Sequence, residues 1–191
     1  MYYGEIKKCD IASVKGSVIV KDFSKEKFKM HLKSNKVNVI QILPGGVVTA
    51  KDIAEIELDA NGEFVRNPEV DLVKVAVVER HQGTGNVACG FLKGYGIKEG
   101  AVALSVAHDS HNIIVVGVND DEMEFAVNSL VEQEGGIVLV KEGKVIESMP
   151  MPIAGLMSDQ SGEWVDQKLT DIHEKAYEEL GICGDVEPVM T

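Results

Sequence analysis

The sequence is short of the residues that would tie it to metal ribbons, membranes or nucleic acid. Its three cysteines, Cys9, Cys89 and Cys183, are far apart and form no CxxC pair. That pattern excludes a zinc ribbon and leaves no disulfide framework to read. Arginine is scarce: Arg66 and Arg80 are the only two among 19 basic residues, which face 31 acidic ones. The formal charge of −12 repels phosphate backbones and anionic lipid, so nucleic acid and membrane are excluded as expected partners. No apolar run approaches the ~20 residues that cross a bilayer. The opening MYYGEIKKCD has no apolar signal core, and a reducing, cytoplasmic setting is the expectation.

What is present describes an ordinary globular chain. Its 191 residues, 45% hydrophobic and 26% charged, are enough to bury roughly two-thirds of the unfolded surface without a staple. One domain is expected over residues 1–191, with residues 1–35 as a candidate appendage. There, residues 16–20 read as a strand. A short helix follows near 24–33, with Ser24 as cap and Phe28 and Leu32 on one face. Residues 37–43 form a β-branched run stopped by Pro44-Gly45-Gly46. Residues 53–58 and 63–65, joined through Asp59-Ala60-Asn61-Gly62, read as a hairpin.

Residues 71–79 form the next expected strand, ending in Arg80-His81-Gln82-Gly83-Thr84-Gly85-Asn86. Residues 101–107 set Ala101, Ala103, Ser105 and Ala107 on one face, opposite Val102, Leu104 and Val106. A face of such small side chains admits either a packed helix or a ligand. HDSHN then leads to a strand over 113–118. After Asn119 the period changes. Met123, Ala126, Val127, Leu130 and Val131 make a helical stripe closed by Gly135-Gly136. Strands at 137–140 and 145–148 turn at Glu142-Gly143, and a last helix spans 162–180. About eight strands and three helices imply an α+β fold, with a mixed, largely antiparallel sheet and helices packed on one face.

Two polar loops carry the candidate chemistry. In His108-Asp109-Ser110-His111-Asn112, imidazoles and a carboxylate suit a first-row divalent ion or a polar ligand. The same five residues also suit a solvated turn whose Asp, Ser and Asn bond their own backbone. The GTGN of the other loop offers backbone N–H groups to an anion, without a Walker lysine or a full GxGxxG. If the loops share one end of the sheet, Glu79, Arg80, His81, His108, Asp109 and His111 form one pocket. Gly94-Tyr95-Gly96 reads as turn chemistry, His173 as edge packing, His31 as solvated and the methionines near Pro150 as a packed loop. Cys89 has no adjacent base.

Residues 79–120, ERHQGTGNVACGFLKGYGIKEGAVALSVAHDSHNIIVVGVND, are similar to the segment that adenine deaminases carry after their catalytic barrel. The likeness continues through Met151-Pro152-Ile153-Ala154-Gly155-Leu156-Met157-Ser158-Asp159 into the last helix, and reaches back more loosely to Leu43-Pro44-Gly45 and Thr49. HDSHN and PIAGLMSD are its most specific stretches.

The resemblance implies the amidohydrolase superfamily and conversion of adenine and water to hypoxanthine and ammonia with a divalent metal, manganese or iron. It implies purine contacts from Glu79, Arg80, His81, Ser105, Asp109, Ser110 and Asn112, and metal contacts from His108 and His111. Two departures stand out. The five histidines include no HxH pair, and a (β/α)₈ barrel takes ~250 residues. The resemblance also implies a family that continues past Val189-Met190-Thr191. A fragment or stand-alone relative of the C-terminal domain is therefore expected, inactive alone and supporting or capping a barrel in cis or in trans. A non-catalytic purine- or metal-binding module, or a homo-oligomerisation module, is the other open reading. An independent metal enzyme built on HDSHN is the third.

Overall fold

Runs of β-branched residues broken by glycine set the strand boundaries in the computed structural model, which describes residues 10–45 and 48–188. Cys9, Gly46 and the closing Val189-Met190-Thr191 lie outside the described residues. Among these run β1 (Lys36–Ile42), β2 (Thr49–Glu55), β3 (Glu57–Leu58), β4 (Phe64–Val65), β5 (Leu72–Val78) and β6 (Val87–Lys93). They continue as β7 (Ala101–Leu104), β8 (Ile113–Gly117), α1 (Asp120–Glu132), β9 (Gly136–Lys141), β10 (Lys144–Pro150) and α2 (Gly162–Glu178). Eight strands make one sheet in the order β10-β9-β7-β8-β5-β6-β1-β2, while β3 pairs only with β4. Every neighbouring pair in the large sheet is antiparallel except β1 with β6. The α+β class with a mixed, largely antiparallel sheet is the fold that forms.

The small face of β7 receives a helix. Ala101 and Ala103 pack with Met123, Ala126, Val127 and Leu130 of α1. Val102 and Leu104 point to the opposite side, with Ile172 and Ala176 of α2. The helices therefore lie on opposite faces of the sheet instead of sharing one. The reason is visible in the central strands: β7 is buried throughout, and β9 nearly so. Helices on a single face would leave half of those apolar side chains in water. Burying each large side chain of the α1 stripe contributes about 1.5–3 kcal/mol. Asn119 caps α1 by accepting from the Glu122 N–H at 2.8 Å, and Ser161 caps α2 through the Trp164 N–H at 3.3 Å.

Three local expectations change. Residues 16–20 form no strand; Ile19 N–H donates to the Arg80 carbonyl at 2.8 Å, and left-handed Gly16 and Asp22 interrupt the extended run. The helix expected near 24–33 contracts to one 3₁₀ turn, Lys25–Phe28, whose Ser24 makes no side-chain cap. That turn buries Phe28 against the α1 side of the sheet, so the candidate appendage packs on the sheet. Finally, β6 occupies Val87–Lys93, a stretch for which no strand was expected. Gly90 removes the apolar alternation, yet its backbone stays in register with β5, opposite Val75.

The register also brings the loops together. Val78 pairs with Ile113, while Leu104 pairs with both Ile114 and Ile137. The loops following β5 and β7 and the entry to β9 therefore gather at one end of the sheet.

Candidate functional site

Arg80 sits at the centre of that end, only 1% exposed. Its Nε donates to the His111 carbonyl at 2.5 Å, Nη1 and Nη2 to the Ala154 carbonyl at 3.2 Å, and Nη2 to the Ser105 carbonyl at 3.4 Å. A fixed guanidinium fork thus ties three chain segments together through backbone acceptors. Burial without a carboxylate lowers the Arg80 pKa. Ser105, also buried, extends the buckle: its hydroxyl donates to the Gly155 carbonyl at 2.5 Å and accepts from the Gly136 N–H at 2.7 Å.

Two glycines make that packing possible. Gly155 has φ +70, and a Cβ there would lie 2.7 Å from Arg80 Nη1. Gly135 has φ +94, and its Cβ would lie 2.7 Å from Gly155 Cα. Both positions need left-handed backbone with nothing beyond a hydrogen. The N-terminal segment closes the same end, with Ala154 N–H bonded to the Val14 carbonyl at 3.0 Å. Sequence reasoning singled out Arg80 and the PIAGLMSD stretch separately. Nothing in their spacing links them, because residues 80 and 154 meet only through the fold.

Glu79 fills the anion nest that GTGN suggested. Its carboxylate accepts from the N–H groups of His81 at 2.5 Å, Gln82 at 2.7 Å and Thr84 at 2.9 Å, and from the Thr84 hydroxyl at 2.9 Å. These donors, the Thr84 and Gln82 amides foremost, lower its pKa to about 2. The loop therefore carries its own anion where a ligand anion was considered.

The rim is different. His108 is 84% and Asp109 92% exposed in their side chains, with Nδ1 and Oδ1 3.3 Å apart. Asp109 and His111 both hold positive φ. The exposed His81 reaches the Ser110 carbonyl through Nε2 at 2.9 Å, and the His111 ring binds the Val106 carbonyl through Nδ1 at 2.8 Å. Asn112 Oδ1 is buried without a hydrogen-bond partner among the described residues. The two polar loops do meet, through the Arg80 and His81 side chains on the backbone of His111 and Ser110. They leave His81, His108, Asp109 and Ser110 facing outward above the sealed Arg80 and Ser105.

These residues do not fit a divalent ion. No group of three His, Cys, Asp or Glu among the described residues is placed to hold one, and two imidazoles pointing to different partners fall short of a ligand set. The lesser candidates are structural as well. Cys89 is half-buried, its pKa raised by that burial, and His31 pairs with Glu63 at 3.0 Å. No helix among the described residues is long and apolar enough to cross a membrane.

Comparison with known proteins adds a family. Residues 46–191 match the model of the adenine deaminase C-terminal domain. The chain is 63% identical over 190 residues to "Adenine deaminase 2" of Desulfotalea psychrophila, covering all of this chain and 33% of that protein. It is 48% identical over 190 residues to "Adenine deaminase" of Ligilactobacillus salivarius, again covering 33% of it. Against "Adenine deaminase" of Bacillus subtilis it is 43% identical over 169 residues, 88% of this chain and 29% of the relative. The chain thus spans about a third of the length of these curated relatives.

Proposed function

Since the chain belongs to the adenine deaminase C-terminal domain family, we propose that it is the accessory part of a cytoplasmic, metal-dependent adenine deaminase, presenting its loop rim to a separate catalytic part. In this reading the reaction, adenine and water to hypoxanthine and ammonia, takes place on that catalytic part, which joins this chain in cis or in trans. The divalent ion belongs there too, because the described residues offer no ligand set for it. No bond-breaking step is assigned to this chain.

The observation that carries the reading is the contrast within the loop end. A buried guanidinium fixes the backbone of His111, Ala154 and Ser105, and on that platform His108 and Asp109 stand almost fully exposed in left-handed or solvated turns. Strain of this kind persists where surrounding structure over-determines it, and it clusters at functional surfaces. His81, Asp109 and Ser110 then supply polar contacts to the purine or to the mouth of its site: a carboxylate accepts from an exocyclic amine, and hydroxyl or imidazole groups meet ring nitrogens. Asn112, with an unpartnered Oδ1, is a further acceptor for such an amine. Glu79, Arg80 and Ser105 act as positioning residues, since their polar atoms are engaged within the protein.

The test replaces the matching third of the Desulfotalea psychrophila relative with this chain and measures ammonia release from adenine. The chimera is expected to turn over and the isolated chain to release none. His108→Ala/Asp109→Ala in the chimera should lower kcat/KM by about tenfold, the loss of about 1.4 kcal/mol of transition-state interaction. Turnover by the isolated chain, or an unchanged kcat/KM in the double variant, overturns the reading.

A further inference from the structure

Among the described residues, part of one sheet face has no layer over it. On the α2 side, α2 and the segment after it cover β10, β9, β7 and the ends of β5, β6 and β1 that carry Val73, Leu92 and Ile42, with Val102, Leu104, Val116, Ile137 and Leu139 buried there. Toward the other edge the same face carries Ile114 and Val77, then Ala88 and Gly90 of β6, Ile40 of β1 and Ile53 of β2. These residues share that face by register: Val77 is opposite Ile114 and Ala88, and Asn38, two residues from Ile40, is opposite Ile53. Ile40 is 47%, Ile53 64% and Val77 36% exposed. The opposite face of these strands is closed by Val39, Leu72 and Phe91, packed with Met30, Leu32 and Phe64.

We propose that this bare half-face is the surface on which the missing two-thirds of the relatives' chain docks. The inference rests on the functional reading above and adds the place of contact. Three observations select that occupant. First, the relatives are about three times as long as this chain, and the family is their C-terminal domain, so a large body precedes it. Second, the centre of the patch is poor in charge: it holds Asn38, Ile40, Ile53, Val77, Ala88 and Gly90, bordered by Val75 and Ile114 where it meets the covered half, with Lys51 beside Ile40 and the Lys36–Glu55 ion pair at its outer edge. In a chain with 31 acidic residues, an apolar, charge-poor area is the composition of an interface core. Third, the patch runs into the loop end. Val77 and Ile114 lie within a few residues of Glu79 and Asn112, and Ile19 N–H is bonded to the Arg80 carbonyl there. A body seated on the half-face therefore borders the exposed His108 and Asp109.

Cysteine accessibility tests the contact. Ile40→Cys and Val77→Cys are placed singly in the isolated chain and in the Desulfotalea psychrophila chimera, with Phe125→Cys on α1 as reference. Maleimide labelling of each site is followed by peptide mass. Labelling at Ile40→Cys and Val77→Cys should slow by about tenfold or more in the chimera, as at a closely packed interface core, while Phe125→Cys reacts equally in both. Equal reactivity of the two patch cysteines in both proteins overturns the inference. So does protection already present in the isolated chain that vanishes on dilution, which would assign the face to a second copy. A chimera that deaminates adenine with both patch cysteines fully reactive sinks only the docking surface. Protected cysteines in a chimera indifferent to His108→Ala/Asp109→Ala sink only the role of the rim.

Discussion

Arg80 and His108 stand on neighbouring loops at one end of the sheet, one sealed to 1% exposure and the other with 84% of its side chain in water. Both carry nitrogen-bearing side chains and both follow a β-strand, yet their surroundings give them opposite work. The interior of the loop end is a closed hydrogen-bond network in which a charge is satisfied by carbonyls. The rim leaves imidazole, carboxylate and hydroxyl groups open, held on backbone that the interior has already fixed. A positively charged residue in a polar loop is thus no guide to ligand contact until its burial is known.

The largest effect that sharpens this comparison is expected from Arg80→Ala. It strands the carbonyls of His111, Ala154 and Ser105 and leaves a void, so unfolding free energy should fall by roughly 3–5 kcal/mol, read from urea midpoints. Gly155→Ala comes next. A methyl group on left-handed backbone against the guanidinium should cost about 2–3 kcal/mol, with the loops at 105–112 and 151–157 gaining amide exchange together. Ser105→Ala removes a donor and an acceptor at once and should cost about 1–3 kcal/mol.

Glu79→Gln acts through pH. The folded-state pKa of Glu79 lies at about 2, below the ordinary carboxylate value. Its stabilisation is therefore present above the unfolded-state pKa and is lost as pH falls through about 2. Wild type should exceed Glu79→Gln in stability at pH 7. The gap should close between about pH 4.5 and pH 2, and a gap independent of pH would show that the carboxylate does not organise the loop. The smallest change is expected at the rim: His108→Ala and Asp109→Ala should each shift stability by less than about 0.5 kcal/mol. A rim substitution as damaging as Arg80→Ala would erase the distinction between the two regions.

Much of the fold was legible because it follows from periodicity. The stripe of α1, the caps at Asn119 and the Glu142-Gly143 hairpin appear as expected. Where local signals were weak the structure departs from them: Gly90 masked β6, and the lysine-rich 24–33 stretch supports only a 3₁₀ turn. Both polar loops were identifiable as singular, each placed between apolar strands. Their internal assignments were not, since Glu79 and Arg80 are adjacent in sequence, yet one curls onto its own loop and the other crosses to residue 154.

From its residues alone the chain determines an acidic α+β fold, most of its strands and its two long helices, and the family whose signature stretches it carries. Those properties depend on neighbours in sequence, on side-chain period and on composition. Tertiary structure decided which polar groups are buried, which faces the helices take and which part of the sheet stays bare. Those outcomes depend on contacts between residues 25 to more than 70 positions apart, whose strength comes from excluding water around a hydrogen-bonded charge, and no local pattern encodes that exclusion.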